Sequence, residues 1–464
     1  MPSVETLVPA LDLTYIRAQF PALAQTVNGH PAAFLDGPGG TQVPQRVIDA
    51  ISDYLRRSSA NTGGAYATSR RTDGMIAEAR AAMADFLHCA ADEVIFGLNM
   101  TSLTYAMSRA IGRDLKPGDE ILVTRLDHDA NVSPWLAMAE EKGLTVRWAE
   151  IHDEDCTLDM ADLASKISAK TKLVAVGYAS NAVGTINPVK EIVRLAHSAG
   201  ALAYIDAVHY APHGLIDVAA LDCDFLVCST YKFFGPHMGV LFGKREHLKS
   251  LRPYKVRANT NAIPNCWEWG TLNHECIAGI KACVDYIADL GRKTDGAMKK
   301  SCGDGRLGRQ SSEARPLAIP PEARPQAAET STSETSDRRR AIESAYAAIH
   351  HHERALLDRA MTGLREIRGI KIYGITDPAR FDHRCGTIAV RIVSGKPGHT
   401  PLELATKLGE RGIFTWDGNY YALNLTEHLD VEKSGGFLRI GLVHYNSVEE
   451  VDRLLNALRE IVSA

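Results

Sequence analysis

The sequence lacks the features that mark several classes of protein. Its nine cysteines include no C-x-x-C pair and show no Cys and His spacing typical of a zinc site. No run of about 18 apolar residues is present to cross a membrane, and the first residues lack a basic region followed by an apolar one. The low, odd cysteine count argues against a disulfide framework. These absences predict a soluble protein of a reducing compartment, most simply the cytoplasm, without a metal site or membrane partner.

An excess of positive charge is missing as well. The 464 residues include 52 Lys and Arg against 56 Asp and Glu, which gives a net charge of −4. Without a basic bias, nucleic acid is not expected as a partner. Hydrophobic residues make up 45% and charged residues 23%, which are ordinary values for globular proteins. At roughly 150 residues per domain, the length predicts about three domains or two large ones.

Short apolar runs alternate with helical patterns between residues 90 and 245. This alternation is typical of a mostly parallel, doubly wound α/β sheet with helices on both faces. The predicted strands are Glu93–Gly97, Glu120–Thr124, Thr145–Glu150, Lys172–Gly177, Ala201–Ile205, Asp224–Cys228 and Gly239–Gly243.

The rest of the chain divides around this region into further segments. Residues 1–30 are predicted as an N-terminal segment and residues 31–291 as the large domain. Residues 292–340 are too polar to bury a core, so we predict a disordered or loosely ordered insertion that ends in the polar run Arg338–Arg340. Residues 341–464 again mix helical and strand patterns and predict a smaller α+β domain.

Polar side chains follow four of the predicted strands. In doubly wound sheets, ligands bind outside the carboxyl ends of the strands, so His128, Asn181, Asp206 and Lys232 are expected at one rim. Each has a simpler interpretation alone, as a helix cap, a turn residue or a surface charge. Lys232 precedes two phenylalanines, however, and desolvation lowers the pKa of an amine and makes it a competent Schiff-base nucleophile. An Asp and a Lys at strand ends suit a pyridoxal phosphate site, where the carboxylate keeps the pyridine nitrogen protonated.

The phosphate of such a cofactor would need a binding site of its own. Met100, Thr101 and Ser102 follow Asn99 at the start of a helical pattern, directly after a predicted strand. Backbone N–H groups and hydroxyls at a helix N-terminus bind anions. An ordinary N-cap is the alternative.

Seven motifs together resemble a known family. In chain order they are LDGPGGTQVP, DHDAN, SNAVGTINP, IDAVHYAPH, STYKFFGPHMG, WEWGT and RIGLVHYNS. Their types and order resemble the class V branch of the fold-type I pyridoxal phosphate enzymes, closely its cysteine desulfurases and selenocysteine lyases. The resemblance covers nearly the whole chain except residues 292–340. It implies pyridoxal phosphate as cofactor, a small amino-acid substrate and a homodimer with its active site at the subunit interface.

The resemblance also implies roles for individual residues. Lys232 would form the Schiff base, Asp206 would pair with the pyridine nitrogen and His128 would stack on the ring. Asn181 would contact the ring hydroxyl oxygen and the substrate, and Arg439 would bind the substrate carboxylate. Cofactor contacts are further implied for Met100, Thr101, Ser102, Ser229 and, from the neighbouring subunit, Thr271.

Four positions depart from the family pattern. Tyr421 stands where desulfurases carry a cysteine on a loop, and Trp416 stands where they carry an arginine. His209 replaces a glutamine, and Tyr231 replaces a histidine before the lysine. We therefore count Tyr421 among the catalytic candidates, with Lys232 and His128, and His209 and Tyr231 among the cofactor contacts.

These residues predict a lyase that releases a β-substituent from a small L-amino acid by C–S or C–C cleavage. Sulfite from cysteine sulfinate or carbon dioxide from aspartate leaves unaided, whereas sulfur from cysteine needs a nucleophile. A weaker resemblance, to the decarboxylative aldolase of the ustiloxin pathway, leaves carbon–carbon bond formation from aspartate as an alternative. Epimerisation, transamination and a silent sulfur-transfer scaffold are the others.

Overall fold

Seven strands form the central sheet in a computed structural model that describes residues 11–301, 336–393 and 399–463. In chain order the strands are β1 (Val94–Gly97), β2 (Glu120–Thr124), β3 (Thr145–Ala149), β4 (Thr171–Gly177), β5 (Leu202–Asp206), β6 (Phe225–Ser229) and β7 (Gly239–Gly243). They lie in the sheet in the order β1-β7-β6-β5-β4-β2-β3; β7 is antiparallel to both neighbours and the remaining pairs are parallel. The predicted α/β fold with a mostly parallel sheet is confirmed.

Both faces of this sheet are covered. Along β2, Leu122 packs into one hydrophobic cluster, whereas Ile121 and Val123 pack into another. A strand buried on both faces reads as a continuous apolar run, which is why these strands stand out in the sequence. The helices of eight residues or more in the described part of the chain are α1 (Gln45–Arg57), α2 (Ala67–Leu87), α3 (Met100–Ile111), α4 (Ser133–Lys142), α5 (Val189–Ser198), α6 (His274–Ser301), α7 (Asp337–Arg365), α8 (Pro401–Gly409) and α9 (Val448–Ser463).

A second, antiparallel sheet lies in the C-terminal part of the chain. Its strands are β8 (Ile370–Tyr373), β9 (Thr387–Ile392), β10 (Trp416–Gly418) and β11 (Phe437–Gly441). They lie in the order β8-β9-β11-β10. Leucines of α7 and α9 pack with the apolar residues of this sheet into one further cluster. Shorter helices span Leu13–Arg17, Met160–Ser165, Val218–Leu221, Arg245–Ser250 and Leu423–His428. None of the described helices is long and apolar enough to cross a bilayer.

The predicted insertion overlaps two long helices. Helix α6 continues to Ser301, past the predicted boundary at residue 291, and α7 begins at Asp337. The Ser336 hydroxyl accepts the backbone N–H of Arg339 at 3.0 Å and so caps α7. Residues 302–335 lie outside the described residues. The described residues of the predicted insertion therefore form at least one helical turn at the end of α6 and one at the start of α7.

Arg339 is buried, although its sequence context predicts a polar edge. Its side chain is 2% exposed, and its Nη1 donates to the carbonyl oxygens of Phe86 at 3.0 Å and Ile216 at 2.8 Å. A guanidinium presents five donors in a fixed fork, which suits several carbonyl acceptors at once. The sequence-based expectation is wrong for this residue because the end of α2 supplies acceptors that no local pattern reveals.

Arg339→Ala is expected to lower the free energy of unfolding by about 2–3 kcal/mol, because buried carbonyl groups lose their donor. Chemical denaturation would measure the change. Arg340→Ala is the matched control: Arg340 is exposed and pairs with Asp337, so its loss is expected to change stability by no more than about 0.5 kcal/mol. Equal effects from the two variants would contradict the anchoring role of Arg339.

Candidate active site

The carboxyl ends of β2, β4, β5 and β6 meet at one cleft because these strands are neighbours in the sheet. Nine of the thirteen sequence-predicted site residues line it. Asn99, Pro38 and Asp127 line it as well, although they were not among the candidates. The predicted residues that line the cleft are Met100, Thr101, His128, Asn181, Asp206, His209, Ser229, Tyr231 and Lys232.

Lys232 is the only ammonium-bearing side chain among the described residues that line this cleft. Burial, with the nearby Arg439 guanidinium, lowers the pKa of Lys232 to about 7. Its Nζ donates to the carbonyl of Pro38 and lies 4.9 Å from the ring centroid of Tyr231. An amine with this pKa is substantially neutral at physiological pH and can act as a nucleophile or base.

Two buried carboxyls line the cleft together with the lysine. Asp206 accepts the backbone N–H of Val208 at 2.9 Å, and burial raises its pKa to about 6 against the lowering effect of Lys232. Asp127 accepts the N–H of Gly177 at 2.7 Å, and burial, opposed by that bond, raises its pKa to about 8. The Asp206 carboxylate also raises the pKa of Asp127, so at pH 7 Asp127 is mainly protonated and Asp206 is mainly ionised.

His128 lies at the mouth of the cleft with its ring fixed. Its Nδ1 accepts the N–H of Ala130 at 3.0 Å, and burial lowers its pKa to about 4, so the ring is neutral at pH 7. The ring of Tyr421 lies over it, with centroids 5.5 Å apart and planes 27° apart. Tyr421 is 71% exposed and adopts φ 59°, and its carbonyl accepts the N–H of Asp129 at 2.6 Å. Tyr421 therefore covers the outer face of the histidine.

Arg439 brings a buried cation from β11 to the same place. Its Nη1 donates to the carbonyl of Asn181 at 2.9 Å, and its guanidinium lies 3.9 Å from the ring centroid of Tyr420. Its Nε has no hydrogen-bond partner among the described residues, and burial lowers its pKa to about 10. Asp36, which sequence reasoning missed, is half-buried and interacts electrostatically with Arg439, and desolvation raises its pKa to about 6. An anion entering the cleft would meet an arginine with donor capacity to spare.

Asn181 and Ser229 show where a polar ligand fits. Asn181 donates its side-chain N–H to the carbonyl of Tyr420 at 2.9 Å, whereas its buried Oδ1 has no partner in the described part of the chain. The Ser229 hydroxyl accepts the N–H of Met100 at 3.0 Å, at the start of α3. A cleft lined by a buried carboxyl, a helix N-terminus and an amide oxygen without a partner among the described residues fits a phosphorylated pyridine.

Two predicted cofactor contacts lie elsewhere. The N–H of Ser102 bonds to the Oδ1 of Asn99 at 2.9 Å, so Ser102 acts as part of the helix cap. Thr271 lines a separate, open cavity with Asn61 and Glu268. Within one chain the structure does not bring either residue to the cleft.

His209 also lines the cleft. It is buried, its Nε2 lies 3.0 Å from the Thr387 hydroxyl, and burial holds its pKa well below the ordinary value. The ring is therefore neutral and is oriented by the start of β9.

The chain matches known proteins over most of its length. The model of the family described as aminotransferase class-V matches residues 33–304 and 340–454. The cysteine desulfurase of Dickeya dadantii is 31% identical over 462 residues, covering 96% of this chain and 96% of that protein. A probable cysteine desulfurase of Halalkalibacterium halodurans is 30% identical over 461 residues, covering 96% of this chain and 97% of that protein.

Solved structures share the fold. A cysteine desulfurase from Thermococcus onnurineus has a TM-score of 0.79 at 24% identity, with 100% of both chains covered. An Escherichia coli cysteine desulfurase has a TM-score of 0.76 at 23% identity, covering 98% of this chain and 99% of that one. The arrangement of the two sheets is therefore the one found in those proteins.

Proposed function

This chain belongs to the class-V aminotransferase family, in its cysteine desulfurase-like subgroup, and on that premise we propose that it is a pyridoxal phosphate-dependent lyase that removes a β-substituent from a small L-amino acid without a loop cysteine. The observation that carries the proposal is the pairing of Lys232, whose pKa is lowered to about 7, with a buried Arg439 whose Nε has no partner among the described residues. The described residues that line this cleft include no cysteine.

The cofactor would be held by groups already in place. Asp206 would face the pyridine nitrogen, the Asn181 amide oxygen or its N–H would meet the ring substituent, and the N-terminus of α3 with Ser229 would hold the phosphate. His128 would cover the ring. We also propose a homodimer in which Thr271 serves the neighbouring cleft, because Thr271 lies outside the cleft of its own chain.

Lys232 would move the proton in the reaction. When bound, pyridoxal phosphate withdraws electrons from the α-carbon of an attached amino acid. Lys232 Nζ, with its pKa lowered to about 7, can take the α-proton and later return one, since a group titrating near the working pH is efficient in both directions. His128, neutral and covered by Tyr421, keeps water from the outer face.

Arg439 would hold the substrate carboxylate and thereby set which bond is exposed to cleavage. A planar guanidinium binds a carboxylate through two parallel hydrogen bonds, and burial strengthens them. Its partner Tyr420 fixes the plane of the fork from one side. Arg439 and Tyr421 line the same space, so a small amino acid held in this way would lie near the loop that carries Tyr421.

The lining of the cleft decides which leaving groups are suitable. None of the described residues that line it is a cysteine, so no thiol is placed there to collect sulfur from cysteine. A sulfinate or a β-carboxylate needs no acceptor. In cysteine sulfinate the Cβ–S bond breaks, sulfur dioxide leaves and is hydrated to sulfite, and Cβ gains a proton to give alanine. In aspartate the Cβ–C bond breaks, carbon dioxide leaves, and the same protonation gives alanine.

One observation favours carbon–carbon bond formation as a second candidate. Beyond Lys232 the cleft opens into a space of about 850 Å³ lined by Tyr105, Trp416 and Tyr421. Binding sites for drug-sized ligands fall in the same range of volumes. An aldehyde in this space would capture the β-carbon left by aspartate decarboxylation in place of a proton.

The test incubates the holoenzyme with L-cysteine, L-cysteine sulfinate and L-aspartate in turn, each with and without an aldehyde. Alanine with stoichiometric sulfite or carbon dioxide supports the lyase, with little turnover expected on cysteine. An aldehyde-dependent adduct from aspartate supports the second candidate instead. Exchange of the α-proton without loss of a β-substituent, or no reaction with all three, would overturn the lyase proposal in favour of an epimerase, an aminotransferase or a silent scaffold.

The lowered pKa of Lys232 predicts how cofactor capture depends on pH. Only the neutral amine attacks an aldehyde, so the rate at which the apoenzyme captures pyridoxal phosphate is expected to rise about tenfold per pH unit below pH 7 and to level off above it. Stopped-flow absorbance would follow the reaction. A rate that keeps rising up to about pH 10 would show that the lysine has an ordinary pKa.

A further inference from the structure

A cluster of metal-ligating side chains lies behind the cleft and is not used by the proposed reaction. His209 and His213 follow β5, and Cys385 lies just before β9. One ligand atom from each residue lies within 4.8 Å of the other two. All three residues are at most 5% exposed. The sequence predicted no metal site because Cys385 is far from the two histidines along the chain.

His213 is arranged as metal-bound histidines are. Its Nδ1 lies 2.7 Å from Oε2 of Glu353, which is itself buried. Its Nε2 is buried and has no hydrogen-bond partner among the described residues. A histidine that ligates a metal through one nitrogen almost always bonds a carboxylate, a carbonyl or a water through the other. The unpartnered Nε2 is therefore the observation that points to a missing ligand.

We propose that His209, His213 and Cys385 bind one Zn²⁺ ion per chain. Two imidazoles and a thiolate form a donor set that zinc prefers. Binding requires Cys385 Sγ to lose its proton to solvent, since the thiolate is the form that ligates a metal ion. The Glu353 carboxylate behind His213 compensates the remaining positive charge.

The surroundings leave a fourth position open. A cavity of about 350 Å³ is lined by His213, Glu353 and Cys385, together with Tyr210 and Arg354. It provides a route for the ion and room for a water molecule as fourth ligand, as catalytic and other open zinc sites require. The site is distinct from the cleft but shares His209 with it, because His209 also lines the cleft.

The shared histidine gives the ion a positioning role. A metal bond to His209 would fix the ring that lines the cofactor cleft and tie the end of β5 to the start of β9, which belongs to the second sheet. Zinc is therefore expected to raise the melting temperature of the protein, since an ion that binds only the folded state stabilises it.

The test uses the full-length holoenzyme, cleared with a chelator and reloaded by dialysis against Zn²⁺. Mass spectrometry is expected to find about one zinc ion per chain, and zinc-edge X-ray absorption to find sulfur at about 2.3 Å and nitrogen at about 2.0–2.1 Å. Less than about a tenth of an ion per chain, or an absorption spectrum without sulfur, would overturn the proposal. Neither readout depends on turnover, so failure of the lyase proposal leaves them intact.

Three variants assign the ligands. Cys385→Ser is expected to weaken zinc binding about 100-fold or more, and Glu353→Gln about 10–100-fold, because it removes the charge behind His213. Cys223→Ser, which alters another fully buried thiol outside the cluster, is expected to keep the wild-type affinity and melting shift. Wild-type affinity in both Cys385→Ser and Glu353→Gln, or equal losses in the two cysteine variants, would place the ion elsewhere and overturn the assignment.

Discussion

Lys232→Ala is expected to lower kcat on any substrate of the enzyme by at least about 10³-fold, because it removes both the nucleophile that captures the cofactor and the group that moves the α-proton. The visible absorbance of the bound cofactor should be lost as well. Burial lowers the pKa of Lys232 to about 7, and none of the other described residues that line the cleft is a lysine that could replace this amine. Turnover and absorbance titration with pyridoxal phosphate measure the two losses.

Lys172→Ala is the matched control for this variant. Lys172 lies on β4 of the same sheet, and its Nζ donates to the carbonyl of Ala169 at 3.0 Å, away from the cleft. Its loss is expected to leave turnover and absorbance unchanged. If Lys232→Ala kept more than about a tenth of wild-type turnover, the assignment of the reactive amine would be wrong.

Arg439→Lys is expected to raise KM for an amino-acid substrate about 30-fold or more and to change kcat much less. The variant keeps the positive charge but loses the planar fork, and breaking a buried, hydrogen-bonded charge pair costs about 2 kcal/mol or more. Burial and the stacked Tyr420 ring hold the guanidinium in one plane, so a flexible ammonium is a poor substitute. Steady-state kinetics with the best substrate measure the split between the two constants.

A substrate analogue and a control variant sharpen this prediction. The corresponding amine without a carboxylate should bind the wild type and Arg439→Lys equally, because neither can use the arginine for it. Arg391→Lys changes an arginine of β9, the strand next to β11, whose side chain donates to the carbonyl of Gly436. It is expected to leave KM unchanged. A KM increase shared by both variants would indicate a general distortion of the sheet instead of a lost carboxylate contact.

The strands of the central sheet could be predicted almost to the residue. Glu120–Thr124 and Gly239–Gly243 have the predicted bounds, and Thr171–Gly177 begins one residue earlier than predicted. These strands are buried along nearly their whole length, so each appears as an apolar run that ends at a turn or a polar residue. The edge strand Thr145–Ala149 is only partly buried and was predicted one residue too long.

The cleft residues that the sequence predicted most directly are polar or charged side chains at the end of a strand. Lys232, Asn181 and His128 lie just past a buried strand, Asp206 is the last residue of one, and parallel neighbouring strands end at the same rim. Asp127 was missed although it directly precedes His128, because its importance comes from the Gly177 N–H that it accepts.

Other members of the site could not be read from local sequence at all. Tyr420 lines the opening of the cleft and packs against Arg439, and Asp36, from a separate segment, interacts electrostatically with the same arginine. No local pattern marks either residue as a partner of an arginine that follows much later in the chain.

By itself, the sequence determined the α/β class, the strands of the large sheet, the family motifs and the lysine that they present. It could do so because local burial patterns and residues at strand ends depend on a few neighbouring positions. Only the tertiary structure decided that Arg339 is buried, that Ser102 and Thr271 lie outside the cleft of their own chain, and that Cys385 meets two histidines. These outcomes depend on contacts between segments far apart in the chain, which hydrophobic periodicity and ligand spacing do not encode.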